Sequence, residues 1–124
     1  MYSVGLEKGF TALHRNPGAK GPEARPHEHA YTVRLVLEGE DVGPSGFLVD
    51  LLEVEAALDA AIDRLRGKDL NALEELQGRV PSVELVSRTL WEAIASALRG
   101  RGLLFAEVRV REDDYGWGAY RGPL

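Results

Sequence analysis

Residues 27–31, His-Glu-His-Ala-Tyr, hold the side chains best suited to chemistry in this chain. Strand side chains alternate between faces at a rise of about 3.3 Å per residue, so His27 and His29 project from one side and can converge on a single cation. His14, the third and last histidine, ends an earlier strand-like run, which places all three in one predicted hairpin. Three imidazoles on zinc leave a fourth position open, the pattern of a catalytic site rather than a closed structural one. Two surface histidines at a strand end would share this spacing, and His14 alone could be a core histidine satisfying a backbone carbonyl. The chain has no cysteine, so a thiolate metal site, a thiol nucleophile and a disulfide framework are excluded.

The elements that must position these residues follow from the pattern of apolar side chains. Residues 2–14 place Tyr2, Val4, Leu6, Phe10, Ala12 and His14 at even positions, which predicts a strand, bent or bulged near Gly9. Residues 29–38 alternate with Tyr31, Val33, Leu35 and Leu37 on one face. Between them, 15–26 carries three prolines and two glycines and reads as a long hairpin loop, which delivers Glu23 four residues ahead of His27. A second loop spans 39–46. Asp50 then caps a helix with Leu51, Val54, Leu58, Ala61, Ile62 and Leu65 at helical spacing and Gly67 as its stop. A polar connection, 66–80, holds at most one short turn.

Pro81-Ser82 opens a second helix, with Ser82 as N-cap, Glu84 in its first turn and a stripe of Val86, Leu90, Ile94, Ala97 and Leu98. Residues 103–112 form a strand with Ala106, Val108, Val110 and Glu112 on one face, and 115–121 a short fourth strand. Tyr115 and Trp117 read as packing or interface residues rather than a ring-stacking pair. The order ββααββ predicts an α+β fold: one domain over 1–124, a four-stranded antiparallel sheet with two helices on one face. Its other face would carry Arg34, Glu38, Glu107, Arg109 and Arg111, with two open strand edges. Either that face meets water, or several copies join into a barrel with a charged lumen; edge management favours the barrel.

Composition narrows the class. The chain has 124 residues, enough for one core that buries about two thirds of the unfolded surface. A net charge of −5 and the absence of a basic run argue against nucleic acid as a partner. The first thirty residues include Glu7, Lys8 and Arg15 and no continuous apolar segment, so neither a signal peptide nor a membrane span is expected and the cytoplasm is the expected location.

Over nearly its whole length the chain resembles the 6-pyruvoyl-tetrahydropterin synthase and 6-carboxy-tetrahydropterin synthase family. The resemblance rests on a His ending strand one, His-x-His-x-Tyr opening strand two, Gly46-Phe47-Leu48-Val49-Asp50, Leu70-Asn71, Pro81-Ser82-Val83-Glu84 and Val108-Arg109-Val110-Arg111-Glu112. It implies a tunnelling fold, homo-oligomers built through the sheets into barrels, often hexamers, and a place in queuosine or folate biosynthesis. It also implies zinc on His14, His27 and His29. Glu112 would anchor a reduced pterin, with Glu84 and Ser82 near that end of the pocket. A carboxylate suits the task, because the amino-pyrimidine edge presents two parallel donors and a carboxylate two acceptors.

The departures are informative. The family's usual base, a cysteine four residues before His-x-His, is Glu23 here. A variant branch with glutamate at that place resembles an aldolase-like activity that cleaves the dihydroneopterin side chain to 6-hydroxymethyl-dihydropterin. The family's Asp-His proton relay aligns with Arg66 and Gly67, while Asp63 and Asp69 lie nearby in sequence. Three readings follow. One is a zinc-dependent lyase acting on dihydroneopterin or its triphosphate with Glu23 as base. Another is a pterin- or purine-binding module that keeps zinc and the pocket without efficient chemistry. The third is a structural oligomer whose histidines only order the hairpin.

Overall fold

A computed structural model describes residues 1–114 and 116–124; Tyr115 lies outside the described residues. Strand β1 (Tyr2–His14) pairs antiparallel with β2 (His27–Gly39), β2 with β3 (Phe105–Glu112), and β3 with β4 (Gly116–Pro123), giving the sheet order β1-β2-β3-β4. Helices α1 (Leu51–Asp63) and α2 (Val83–Leu98) connect β2 to β3 and cover one face. The α+β, ββααββ architecture expected from the sequence is the one observed.

The period-two pattern decides which face is covered. Val33, Leu35 and Leu37 of β2 and Ala106, Val108 and Val110 of β3 are fully buried, while Arg34 and Arg111 point away from the helices. Lys8 falls on the covered face of β1 and bridges Glu55 and Asp59 of α1, each at 3.2 Å. Asp50 caps α1 by accepting from the Leu52 N–H at 2.9 Å, and Ser82 caps α2 by accepting from the Leu85 N–H at 3.2 Å.

Several expectations are corrected. The β1–β2 register runs unbroken from Tyr2↔Gly39 to His14↔His27, so there is no bulge at Gly9; it is Gly5 whose added Cβ would collide with the Leu35 carbonyl. Ala97 is exposed and Ala95 takes its place in the buried stripe of α2, together with Ser87 and Trp91. The stripe shifts because Trp91 lies toward β3, donating its indole N–H to the Ala106 carbonyl at 2.8 Å. The fourth strand runs past 121 to Pro123, and the second starts at His27. The connection between the helices holds two 3₁₀ turns, Leu70–Ala72 and Glu74–Leu76, and the first loop a third, Gly21–Ala24.

The face turned from the helices carries the charges expected of it. Glu7, Thr32, Arg34, Arg109, Arg111 and Trp117 surround a shallow cavity of about 160 Å³, with the Arg109 guanidinium 4.1 Å from the Trp117 ring centre. The outer edge of β1 is not left open at its end. The Gly67 N–H donates to the Thr11 carbonyl and the Leu13 N–H to the Lys68 carbonyl, both at 2.8 Å. Among the described residues no helix is long and apolar enough to cross a membrane.

Helix α2 can approach β4 only because β4 is glycine-rich on that face. A Cβ on Gly118 would lie 2.9 Å from the Glu84 backbone nitrogen, which cannot rotate aside. Gly118→Ala should therefore destabilise the fold by about 1–3 kcal/mol, read as a lower midpoint in chemical denaturation with an unchanged slope.

Candidate functional site

Register brings the site together at one end of the covered face. His14 is paired with His27 across β1–β2, and Tyr31 with Glu112 across β2–β3, so His29 falls between the two pairs. Ring centres of His14 and His29 are 5.0 Å apart, and those of His27 and His29 4.2 Å. One donor atom each from His14, His29 and Glu112 lies within 4.8 Å of the others, a spacing that one metal ion could bridge; His27 is outside that trio. A cavity of about 190 Å³ is lined by His14, Asn16, Glu23, His27, His29 and Glu112.

Hydrogen bonds define what each ring can offer. His27 has its Nδ1 2.9 Å from the Arg25 carbonyl, which only accepts, so Nδ1 carries a proton and Nε2 is the nitrogen whose lone pair can serve a ligand. His29 Nδ1 is 3.0 Å from Asp113 Oδ2 and 2.9 Å from Glu112 Oε1. His14 Nδ1 lies 3.2 Å from the same Glu112 oxygen and 3.5 Å from the Tyr31 hydroxyl. With every Nδ1 held by oxygen, the Nε2 atoms are the ones left for a ligand. Those of His14 and His29 are buried and have no hydrogen-bond partner. An unpartnered buried nitrogen is unfavourable unless something fills the place, and carboxylate-backed imidazoles are the usual surroundings of a bound metal. The donor set fits zinc.

The surrounding groups are tuned by the same contacts. The hydrogen bond from His29 holds the Asp113 carboxyl below its ordinary range, aided by the Ala30 N–H. Burial, reinforced by the negative charges of Glu112 and Asp113, raises the Tyr31 phenol, which stays neutral beside His14. Phe10 stacks under Tyr31 with ring centres 5.1 Å apart, fixing the floor of the site.

Glu23 sits in the 3₁₀ turn of the first loop, exposed but lining the histidine cavity, with its carbonyl accepting from the Asn16 N–H at 2.8 Å. Ser82 and Glu84 do not line that cavity: Ser82 Oγ is engaged in the helix cap, and Glu84 is exposed at the start of α2 against Gly118. Arg66 pairs with Asp63 on the surface, and Gly67, at φ +71°, hydrogen-bonds β1, so neither position faces the site. Asp69 caps the Leu70–Ala72 turn, accepting from the Asn71 N–H at 3.0 Å.

Sequence reasoning missed Asn16 and Asp113, and it did not foresee what Asn71 does. Asn71 Oδ1 accepts from the Arg15 N–H at 2.9 Å and its amide donates to the Arg15 carbonyl at 3.0 Å. The pair clamps the chain just after His14. The Glu-Asp-Asp run at 112–114 was the only available signal for Asp113.

A four-stranded sheet backed by two helices, with histidines and carboxylates gathered at one end, defines a small α+β protein built around a candidate metal pocket. Residues 3–123 match the family described as 6-pyruvoyl tetrahydropterin synthase, and the chain belongs to that family. A Drosophila melanogaster 6-pyruvoyl tetrahydrobiopterin synthase is 30% identical over 99 residues, covering 78% of this chain and 58% of that protein. The chain thus spans less than two thirds of that relative. Among solved structures, the Caenorhabditis elegans 6-pyruvoyl tetrahydropterin synthase superposes with a TM-score of 0.76 at 22% identity, over 98% of this chain and 97% of the other. A Plasmodium vivax 6-pyruvoyltetrahydropterin synthase does so at 0.78 and 14%, over 99% and 98%. These two likenesses confirm the fold.

If Asn71 is what fixes the segment after His14, Asn71→Ala should lower stability by about 1–2 kcal/mol. It should also speed tryptic cleavage after Arg15 and Lys20 more than cleavage elsewhere, as limited proteolysis with mass spectrometry would register.

Proposed function

We propose that this chain is a zinc-dependent lyase acting on the side chain of a reduced pterin, dihydroneopterin or its triphosphate, and that it works as a homo-oligomer joined through its sheets, a hexamer by resemblance. The observation that carries the reading is the pair of buried, unpartnered Nε2 atoms of His14 and His29 beside a carboxylate-lined cavity. Family membership and the name of the Drosophila relative support a pterin substrate. The Plasmodium vivax structure is a variant in which a catalytic glutamate is replaced by cysteine, which supports a glutamate in Glu23's role.

His14, His27 and His29 would hold the zinc through Nε2. When bound, zinc supplies Lewis acidity toward substrate side-chain oxygens and steadies negative charge that develops there. Glu23, at the cavity mouth, takes the proton from the substrate side chain. Glu112 has one oxygen against the two Nδ1 atoms, and its second oxygen accepts from one donor of the pterin's amino-pyrimidine edge. Ser82 is committed to the cap of α2, and neither it nor Glu84 lines the histidine cavity, so the proposed chemistry is assigned to neither.

A second reading, a binding module without efficient chemistry, is favoured by one observation: in place of the relay stand Arg66, in a surface pair with Asp63, and Gly67, whose N–H bonds β1. Turnover separates the two. On the lyase reading, purified protein carries about one zinc per chain, and added zinc raises its melting temperature. Glu23→Gln should retain zinc and lose about 10²- to 10⁴-fold in rate on dihydroneopterin or its triphosphate, whereas Glu112→Ala should lose pterin affinity. Pterin binding with no product from either substrate selects the module; no zinc and no thermal shift removes both.

A further inference from the structure

Two acidic residues in succession, Glu112 and Asp113, reach the same imidazole, and their geometries differ. Glu112 Oε1 lies 2.9 Å from His29 Nδ1 without hydrogen-bond geometry, and its hydrogen bond is made with His14. Asp113 Oδ2, at 3.0 Å, meets His29 Nδ1 with hydrogen-bond geometry. The other Asp113 oxygen accepts from the Ala30 N–H at 3.3 Å, and the Asp113 N–H donates to the Ala30 carbonyl at 2.8 Å. Asp113 is therefore fixed to β2 on both sides of its backbone turn, one residue past the last pair of the β2–β3 ladder.

That turn has φ +52°, a left-handed conformation rare outside glycine and tolerated best by Asn and Asp. Asp is among the few side chains that suit this position in the turn from β3 to β4, and the turn carries its carboxylate onto a site histidine. We propose that Asp113 is the positioning residue of the site, holding the His29 ring as its Nδ1–H tautomer so that the buried Nε2 lone pair faces outward to a metal. The metal part rests on the reading given above; the tautomer part does not. Labour is thereby divided between the neighbours: Asp113 orients His29, while Glu112 stays with His14 and has an oxygen free for a ligand.

The test uses the full chain with Asp113→Gly, which accepts the left-handed turn without strain, and Asp113→Asn, which keeps one acceptor oxygen. Ring ¹⁵N shifts of the metal-free proteins report the His29 tautomer, and a chelator competition reports zinc affinity. Wild type should show Nδ1–H at His29, and Asp113→Gly should populate Nε2–H and bind zinc about 10- to 100-fold more weakly. The Asn variant should fall between. An unchanged tautomer in Asp113→Gly, or zinc binding equal to wild type in both variants, overturns the proposal. Should the Gly variant melt far below wild type without metal, the Asn variant decides by the same two readouts. A wild-type protein that binds no zinc would sink the metal reading, while the ring shifts still decide whether Asp113 sets the tautomer.

Discussion

Everything at the site depends on the register of three strands. A strand has a side-chain period of two, so a slip of one residue between β1 and β2 would carry His14 to the charged face while leaving His27 and His29 behind. What forbids the slip is the core, not the histidines. Phe10 and Ala12 on β1, Val33, Leu35 and Leu37 on β2 and Val108 and Val110 on β3 must all face the helices, and each is buried. Burying such a Val, Leu or Phe side chain stabilises the fold by about 1.5–3 kcal/mol. The apolar pattern along the three strands thus sets the distances between the imidazoles, and the site inherits its precision from the core.

The end of the sheet is the natural place for this cluster. Along β2 the covered face changes from aliphatic to Tyr31, then His29, then His27, as burial declines from complete to partial. Polar rings there keep contact with a cavity, and their Nδ1 atoms find oxygens on neighbouring segments: Arg25 from the loop, Glu112 and Asp113 from the end of β3. The first loop and the 65–71 segment then close around β1 through backbone and Asn71 hydrogen bonds. Of the two positions that the family resemblance would assign to proton relay, Gly67 is in this chain part of that strapping and Arg66 pairs with Asp63 on the surface, which is why Glu23 bears more of the proposed chemistry.

Much of this was legible in the sequence, for reasons that can be named. Alternation in residues 29–38 and 103–112 located both central strands and the covered face, and Asp50 and Ser82 announced the helix starts through their capping chemistry. The histidine spacing pointed to a shared ligand because strand geometry is rigid. Failures came where tertiary contacts override local pattern. Gly9 looked like a bulge, yet pairing passes straight through it; Ala97 fitted helical spacing, yet Trp91 rotates the buried stripe toward Ala95. Asp113 and Asn71 escaped notice because their work is done on residues far away in sequence, Asp113 on His29 and Asn71 on Arg15. Hydrophobic periodicity carries no trace of such polar contacts.

The central claim is that imidazole Nε2 atoms, backed by carboxylates on Nδ1, hold a zinc ion at this end of the sheet. An anomalous-difference map at the zinc edge from crystals of the zinc-loaded protein tests it directly. The account predicts a single peak about 2.0–2.1 Å from Nε2 of His14, His27 and His29, with Glu112 and Asp113 outside the coordination sphere. A peak bonded instead to Nδ1 and to a Glu112 oxygen, or no peak among these residues, would contradict it.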